Sequence, residues 1–403
     1  MKRWLATAVA LLLLCGVSAG AEGVSLRTVS CFAGDDAAAI SYVELLKAYE
    51  AQTGNVVEDD SAASDESWKA RVLSEFAVGN EPDVLFFFAR SADSAALLNR
   101  MVPIREINAA YPDLNLAEDE ALREEDGEIY AIPARPYYEG LFVNTDLFLQ
   151  YGLSLPDSWE HFEAAVRGFA AAGVVPVAVS LSDIPHYIAE CAILSCATAE
   201  EYSARPSAGE PVPDSWLEGM ARIRALYQMG AFPADTANTS EAMTSQLFRD
   251  KKAAMQFDGS WFANTLPEEN MDTTAVLPVP SDGSNAVVIG GVSMGFYLTR
   301  RAWDDPRRRE AAVALLAWLT APENVALLGN AQVTGELKDS ADRMLADAEV
   351  LLGPLQDSMN KSAREVWLLN CVPDVAEGRM TPEECWEQVM ALNPFAEVSG
   401  NEE

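Results

Sequence analysis

Pro82-Asp83-Val84-Leu85-Phe86-Phe87-Phe88 sets a proline–aspartate pair ahead of five apolar residues with no polar residue among them. A strand wetted on one face alternates apolar and polar residues, whereas a strand covered on both faces reads as one continuous apolar run. The segment therefore predicts a central strand with helices packed on either side. The flanking sequence agrees. Ser25 to Phe32 reads as a strand ending in the turn Gly34-Asp35-Asp36, and Asn55 to Glu58 as another. Between them, residues 38–53 carry Ile40, Val43, Leu46 and Tyr49 at helical spacing and stop at Gly54. A second helix is marked by Trp68, Val72 and Phe76 and closed by Gly79. Further on, Pro156-Asp157-Ser158-Trp159-Glu160 predicts a helix start, with Asp157 as the cap and Glu160 completing a capping box. That helix would bury Trp159, Phe162, Val166 and Phe169, and Val174 to Ser180 follows as a buried strand. Residues 204–214, rich in Pro, Ser and Gly, read as a surface loop. Strands alternating with helices predict an α/β architecture with parallel sheets.

The chain has 403 residues, 49% of them hydrophobic, with 28 Lys+Arg against 62 Asp+Glu for a formal net charge of −34. Nucleic acids and anionic membrane surfaces both need clustered cations, so neither is a partner of a chain this acidic. Apolar residues spread along the whole length exclude disorder, and the length suits two or three domains.

Lys2 and Arg3, the apolar core Leu5 to Leu14 and the small-residue site Ala19-Gly20-Ala21 read as a signal peptide over residues 1–21, with export and cleavage before Glu22. Cys15 stands where exported bacterial lipoproteins carry their lipid. Leu14 precedes it where a small residue is wanted, so free export to the periplasm or exterior is the expectation. No later segment is long and apolar enough to span a bilayer. Cys31, Cys191, Cys196, Cys371 and Cys385 form no C-x-x-C and no zinc spacing. A Cys371–Cys385 bridge and buried free thiols both stay open.

Gly291-Val292-Ser293-Met294-Gly295 spells G-x-S-x-G. A nucleophile elbow needs a strand–turn–helix around its serine and a histidine after it. Here Phe296-Tyr297-Leu298-Thr299 continues as a strand, and His161 and His186 both precede Ser293. Two histidines leave little for a metal centre, and no H-E-x-x-H, EF-hand or phosphate loop occurs. Neither a cofactor nor a catalytic constellation is predicted.

Several blocks fall in register with one family. Ala48-Tyr49-Glu50-Ala51-Gln52-Thr53-Gly54 with Val56-Val57-Glu58, then Asn80-Glu81-Pro82-Asp83-Val84, open the series. Asp126-Gly127-Glu128-Ile129-Tyr130-Ala131-Ile132-Pro133 and Gly140-Leu141-Phe142-Val143-Asn144-Thr145-Asp146-Leu147-Phe148 continue it, followed by Pro156 to Phe162. Ala253-Ala254-Met255 with Gly259-Ser260-Trp261, and Leu277-Pro278-Val279-Pro280 with Gly290-Gly291, complete it. In these blocks the chain resembles the extracellular solute-binding proteins of ABC sugar transporters, the maltose-binding-protein-like group. Val143 departs from that pattern, and Gln332 to Ser362 matches poorly.

The resemblance implies a periplasmic-binding-protein-like fold, two discontinuous α/β lobes joined by a multi-crossing hinge with ligand between them. Residues 22–135 with 277–328 would form the N-terminal lobe, and 136–276 with 329–397 the C-terminal lobe. The crossings fall near Ala134–Tyr138, near Val276–Pro278 and within 320–335, and Gly290-Gly291 would allow a close backbone approach. It implies a monomer that captures a mono- or oligosaccharide and passes it to transporter permease subunits. Sugars offer flat C–H faces and a rim of hydroxyls, so aromatic platforms edged by polar side chains suit them. Trp261 is the expected platform, with Asp258 beside it. Tyr137, Tyr138 and Glu139 lie on the first crossing. Phe88 and Arg90, Asp35 and Asp36, and Asp183 and His186 follow strand ends, where ligand crevices form. Gly291 is the remaining expected contact. Trp68 and Trp159 belong to helical apolar stripes and are expected in the core. Ferric iron on the Tyr137-Tyr138 pair, a polyamine or a peptide are the alternative ligands, and a secreted glycosidase is the alternative of another class.

Overall fold

The Val84–Phe88 run is the strand the sequence predicts, buried within a nine-stranded sheet. A computed structural model describes residues 23–34, 36, 38–64, 66–89, 91–124, 126–283, 286–328 and 333–395. The expected signal peptide with Cys15, Asp35, Arg90 and residues 329–332 of the third expected crossing lie outside the described residues.

The strands are β1 (Ser25–Val29), β2 (Val56–Asp59), β3 (Val84–Phe88), β4 (Ile132–Asn144), β5 (Val175–Val177), β6 (Ala253–Gly259), β7 (Thr274–Leu277), β8 (Val287–Leu298) and β9 (Val350–Leu352). Their order is β2-β1-β3-β8-β4-β6-β5, with β7 also paired to β4 and β9 to β8. The sheet is mixed, where strand–helix alternation predicts parallel pairing throughout. β1 with β2 and β3, β5 with β6, and β8 with β9 are parallel. β3 with β8, and β4 with β6, β7 and β8, are antiparallel. The reason lies in β4 and β8, strands of 13 and 12 residues that run through the middle of the molecule in opposite senses.

Around β3 successive side chains point to opposite faces and both faces are packed. Phe86 stacks on Phe32 (ring centroids 4.6 Å) and meets Phe296 (4.8 Å), whereas Phe87 meets Trp68 (5.3 Å). Each such ring removed from water contributes roughly 1.5–3 kcal/mol. The helix Ala39–Thr53 ends at Gly54 (φ +76°), but its buried stripe is Tyr42, Leu45, Leu46 and Tyr49. Ile40 is 75% exposed and Val43 is also exposed, since spacings of three alone drift off the face that spacings of three and four hold. The helix Trp159–Ala172 buries Trp159, Phe162, Val166 and Phe169 as predicted. Its cap is Ser158, which accepts from the His161 N–H; Asp157 instead pairs with the His161 ring at 2.5 Å.

Two large cores result. One gathers residues from Leu26 to Ala134 and from Met294 to Leu328. The other gathers Leu141 to Phe257, Ala275, Val279, Ile289 and Leu355 to Val389. A smaller cluster lies on the opposite face of the second part of the sheet, where Phe142, Val276 and Val288 alternate with Leu141, Ala275 and Ile289. The chain passes between the two large cores within β4, between Ala134 and Leu141, and within β8, between Ile289 and Met294.

The G-x-S-x-G residues lie inside β8, with no elbow around Ser293. Cys31, Cys191, Cys196, Cys371 and Cys385 are all free thiols, so the Cys371–Cys385 bridge is not formed. Among the described residues no single helix is long and apolar enough to cross a membrane.

Candidate functional site

A cleft of about 830 Å³ opens where β4 and β8 pass from one core to the other. Its floor is β4. Tyr137 and Glu139 point into it, two residues apart on the same face of the strand, while Tyr138 points the other way into the smaller apolar cluster. The neighbouring strand β8 comes close here, with Tyr137 opposite Gly291 and Tyr138 opposite Gly290. A Cβ on Gly290 would lie 2.8 Å from the Tyr137 carbonyl oxygen, and Gly291 holds φ +138°, where a side chain is strained. Gly291 shapes the floor without lining the cleft.

Trp261 forms the aromatic wall. It follows β6 on the short helical turn Ser260–Thr265 and is 38% exposed. Its Nε1–H donates to the Tyr187 hydroxyl at 3.1 Å, and its ring stacks with that of Tyr137 at 6.0 Å between centroids. The tyrosine and tryptophan rings thus brace one another and leave part of the indole open. Tyr187 stands on the helix Pro185–Leu194, beside His186, whose ring centroid is 4.0 Å away. Desolvation pulls the His186 pKa down, with Lys69 and Arg364 adding to it, so its imidazole is neutral.

Across the cleft, Arg135 and Asp36 form a bidentate pair at 2.8 and 3.1 Å. The Arg135 guanidinium also lies over the Phe32 ring, 5.3 Å from its centroid. Phe88 ends β3 with the Lys69 ammonium 4.7 Å above its ring. Asp183 accepts from the Glu241 N–H at 2.9 Å, and burial followed by the Asp183 charge raises Glu241. A third wall comes from Gln356, Asp357, Leu368 and Leu369. The two leucines belong to a π-helical stretch, Val366–Cys371, set between the helical segments Lys361–Glu365 and Val372–Glu377. Pro373 explains it: the ring has no N–H to bond the carbonyl four residues back and would clash with it, and a wider turn relieves both.

Buried carboxyls lie at this surface (Glu139) and beneath it (Glu190 and Asp258). Glu139 is 3% exposed, and desolvation together with Glu190, Asp357 and Asp258 holds its pKa well above the usual carboxylate range. Glu190 is pushed up to about 8, chiefly by burial, although its Oε1 accepts from the Gln356 N–H at 2.8 Å. Asp258 is pushed up to about 7, again by burial, and accepts from Gln256 Nε2 and from the Gly259 N–H, both at 2.7 Å.

Of the residues singled out in the sequence, Trp261, Tyr137, Glu139, Phe88, Asp36, Asp183 and His186 line this one cleft. Asp258 is buried and does not line the cleft, and Tyr138 faces away. Sequence reasoning missed Arg135, Tyr187, Lys69, Asp357 and the two leucines. Arg135 had a visible signal, a lone charge between Ala134 and Pro136 on the predicted crossing. The 354–369 wall had none, since it falls where the family blocks fade.

Among solved structures, a chitin oligosaccharide binding protein matches with TM-score 0.80 at 19% identity, over 93% of this chain and 98% of that one. A protein from work on xylan utilisation by Caldanaerobius polysaccharolyticus matches with TM-score 0.77 at 17% identity, over 91% and 99%. A bacterial solute receptor described as having an exclusive preference for β-D-galactopyranose gives TM-score 0.74 at 16% identity, over 93% and 98%. No curated protein sequence matches the chain. These likenesses establish the periplasmic-binding-protein-like fold. The sequence profile of one family matches residues 44–342, and by that match the chain belongs to the bacterial extracellular solute-binding proteins.

Proposed function

We propose that this solute-binding protein captures a saccharide in the cleft and delivers it to the permease subunits of an ABC importer. The observation that carries the proposal is the half-open Trp261 ring, braced by Tyr137 and Tyr187 inside a cleft edged with carboxylates and a guanidinium. A flat apolar face with polar groups around it complements a pyranose. Solved relatives described as binding a chitin oligosaccharide and a galactopyranose support the same ligand class. Trp261, Tyr137, Glu139, Phe88, Asp36, Asp183 and His186 are the proposed contacts. Tyr138, Asp258 and Gly291 act in support, and Asp35 and Arg90 join the contacts from outside the described residues.

The two large cores are proposed as the two lobes. We propose the second crossing on β8 at Gly290–Val292 rather than at the expected Val276–Pro278; the packing of Val279 and Ile289 in the second core supports this reading. Ligand touching both lobes favours the closed arrangement by its differential affinity. The chain is proposed to act as a freely exported monomer without catalysis. Iron held by paired tyrosines is disfavoured because Tyr137 and Tyr138 face opposite sides of β4.

A thermal-shift screen of mono- and oligosaccharides tests the proposal. A ligand of the folded state raises the melting temperature with concentration, and the proposal requires at least one saccharide to do so. A screen in which none does overturns it.

A further inference from the structure

Glu139 has a feature that capture of a neutral sugar does not account for. It lines the cleft at 3% exposure, and no donor among the described residues reaches its buried Oε2. Buried acceptors almost always have a partner, and an ionised one left alone is strongly disfavoured. The groups whose charges act on Glu139 are Glu190, Asp357 and Asp258, all carboxyls. Among the described residues Glu139 is thus an unpaired acid at the cleft surface, backed by further acids and with no cation set against it.

The position of this acid relative to the aromatic wall narrows the ligand. Glu139 and Gly259 are directly opposed in the β4–β6 ladder, so their side-chain positions share a face of the sheet. The Trp261 ring fills the position that Gly259 leaves empty, since a Cβ there would lie 2.1 Å from the indole Cζ2. The carboxyl and the indole are therefore neighbours on the cleft floor. A group seated on that ring and bonded to Glu139 gains from positive charge twice, from the acid and from the electron-rich face.

We infer that Glu139 anchors a subsite for an amine-bearing saccharide, its carboxylate accepting from a ligand ammonium held beside the Trp261 ring. This rests on the carbohydrate reading above.

The test compares pairs of sugars that differ only in an ammonium for a hydroxyl: glucosamine with glucose, galactosamine with galactose, and glucosamine oligomers with cello-oligosaccharides. Affinities are measured by titration calorimetry on the mature chain and on Glu139→Gln. In at least one pair the amine member is expected to bind at least about tenfold tighter, with the preference falling below about twofold in Glu139→Gln. Hydroxyl members binding as tightly as their amine partners, or a preference that survives Glu139→Gln, would overturn the inference and leave saccharide capture standing. Absence of binding by every sugar would overturn both. The comparison within the unaltered protein does not depend on the variant folding.

Discussion

The Trp261 indole lies over Gly259, so close that a Cβ on the glycine would stand 2.1–2.4 Å from three of its ring atoms. The glycine ending β6 is thus a seat for the ring rather than a turn residue alone, and the aromatic wall depends on a side chain that is not there.

Gly259→Ala is therefore expected to expel the ring from its seat. Saccharide affinity should fall by about tenfold or more, with a stability loss of roughly 1–3 kcal/mol from overpacking. Calorimetric titration and urea unfolding read the two effects separately, and unchanged affinity would refute the seating role.

Trp261→Ala removes the platform itself. Because the ring is 38% exposed, the unliganded melting temperature should change little, while saccharide binding is lost. A variant that still binds with the original affinity would remove Trp261 from the site.

Arg135 and Asp36 form an ion pair with side-chain exposures of 14% and 19%. Truncating one partner of a buried pair strands the other charge. Discounted for partial exposure, Arg135→Met should cost about 2–3 kcal/mol. The double variant Asp36→Asn with Arg135→Met should recover part of that loss in urea unfolding. A double variant less stable than Arg135→Met would argue against a stranded charge.

Asp258 gives a pH signature. Its folded pKa is raised to about 7, mainly by burial, so the folded state keeps a proton that the unfolded chain sheds near pH 4. Its contribution to stability accordingly declines as pH rises from about 4 to about 7 and then levels off. Asp258→Asn should melt higher than the parent at pH 8, by about 1–2 °C for each kcal/mol relieved in a chain this long, and at the same temperature near pH 4. The opposite ordering in a melting series from pH 4 to 8 would refute the assignment.

What the sequence disclosed follows from the range of the forces involved. The Val84–Phe88 run and the Trp159–Phe169 stripe are local patterns, legible because period and burial are written in neighbouring residues. The antiparallel course of β4 and β8 was hidden, because pairing partners such as Tyr137 and Gly291 lie far apart in the chain. In the site, Trp261, Tyr137 and Glu139 were found from family blocks that persist around β4 and β6. Tyr187 was not, since only the fold brings its hydroxyl to the Trp261 Nε1–H. Leu368 and Leu369 escaped for another reason: the proline that widens their helix sits downstream of both.

The uneven burial of the tryptophans has an optical consequence. Among the described residues Trp68, Trp159, Trp216, Trp303, Trp367 and Trp386 are enclosed and Trp318 is half-buried away from the cleft, whereas Trp261 stands open at the cleft. Excited near 295 nm, the enclosed indoles supply a steady blue-shifted background. Changes in emission colour or quenching on ligand addition then report chiefly on the ring that lines the cleft, so the protein carries its own fluorescent gauge of cleft occupancy and needs no attached dye.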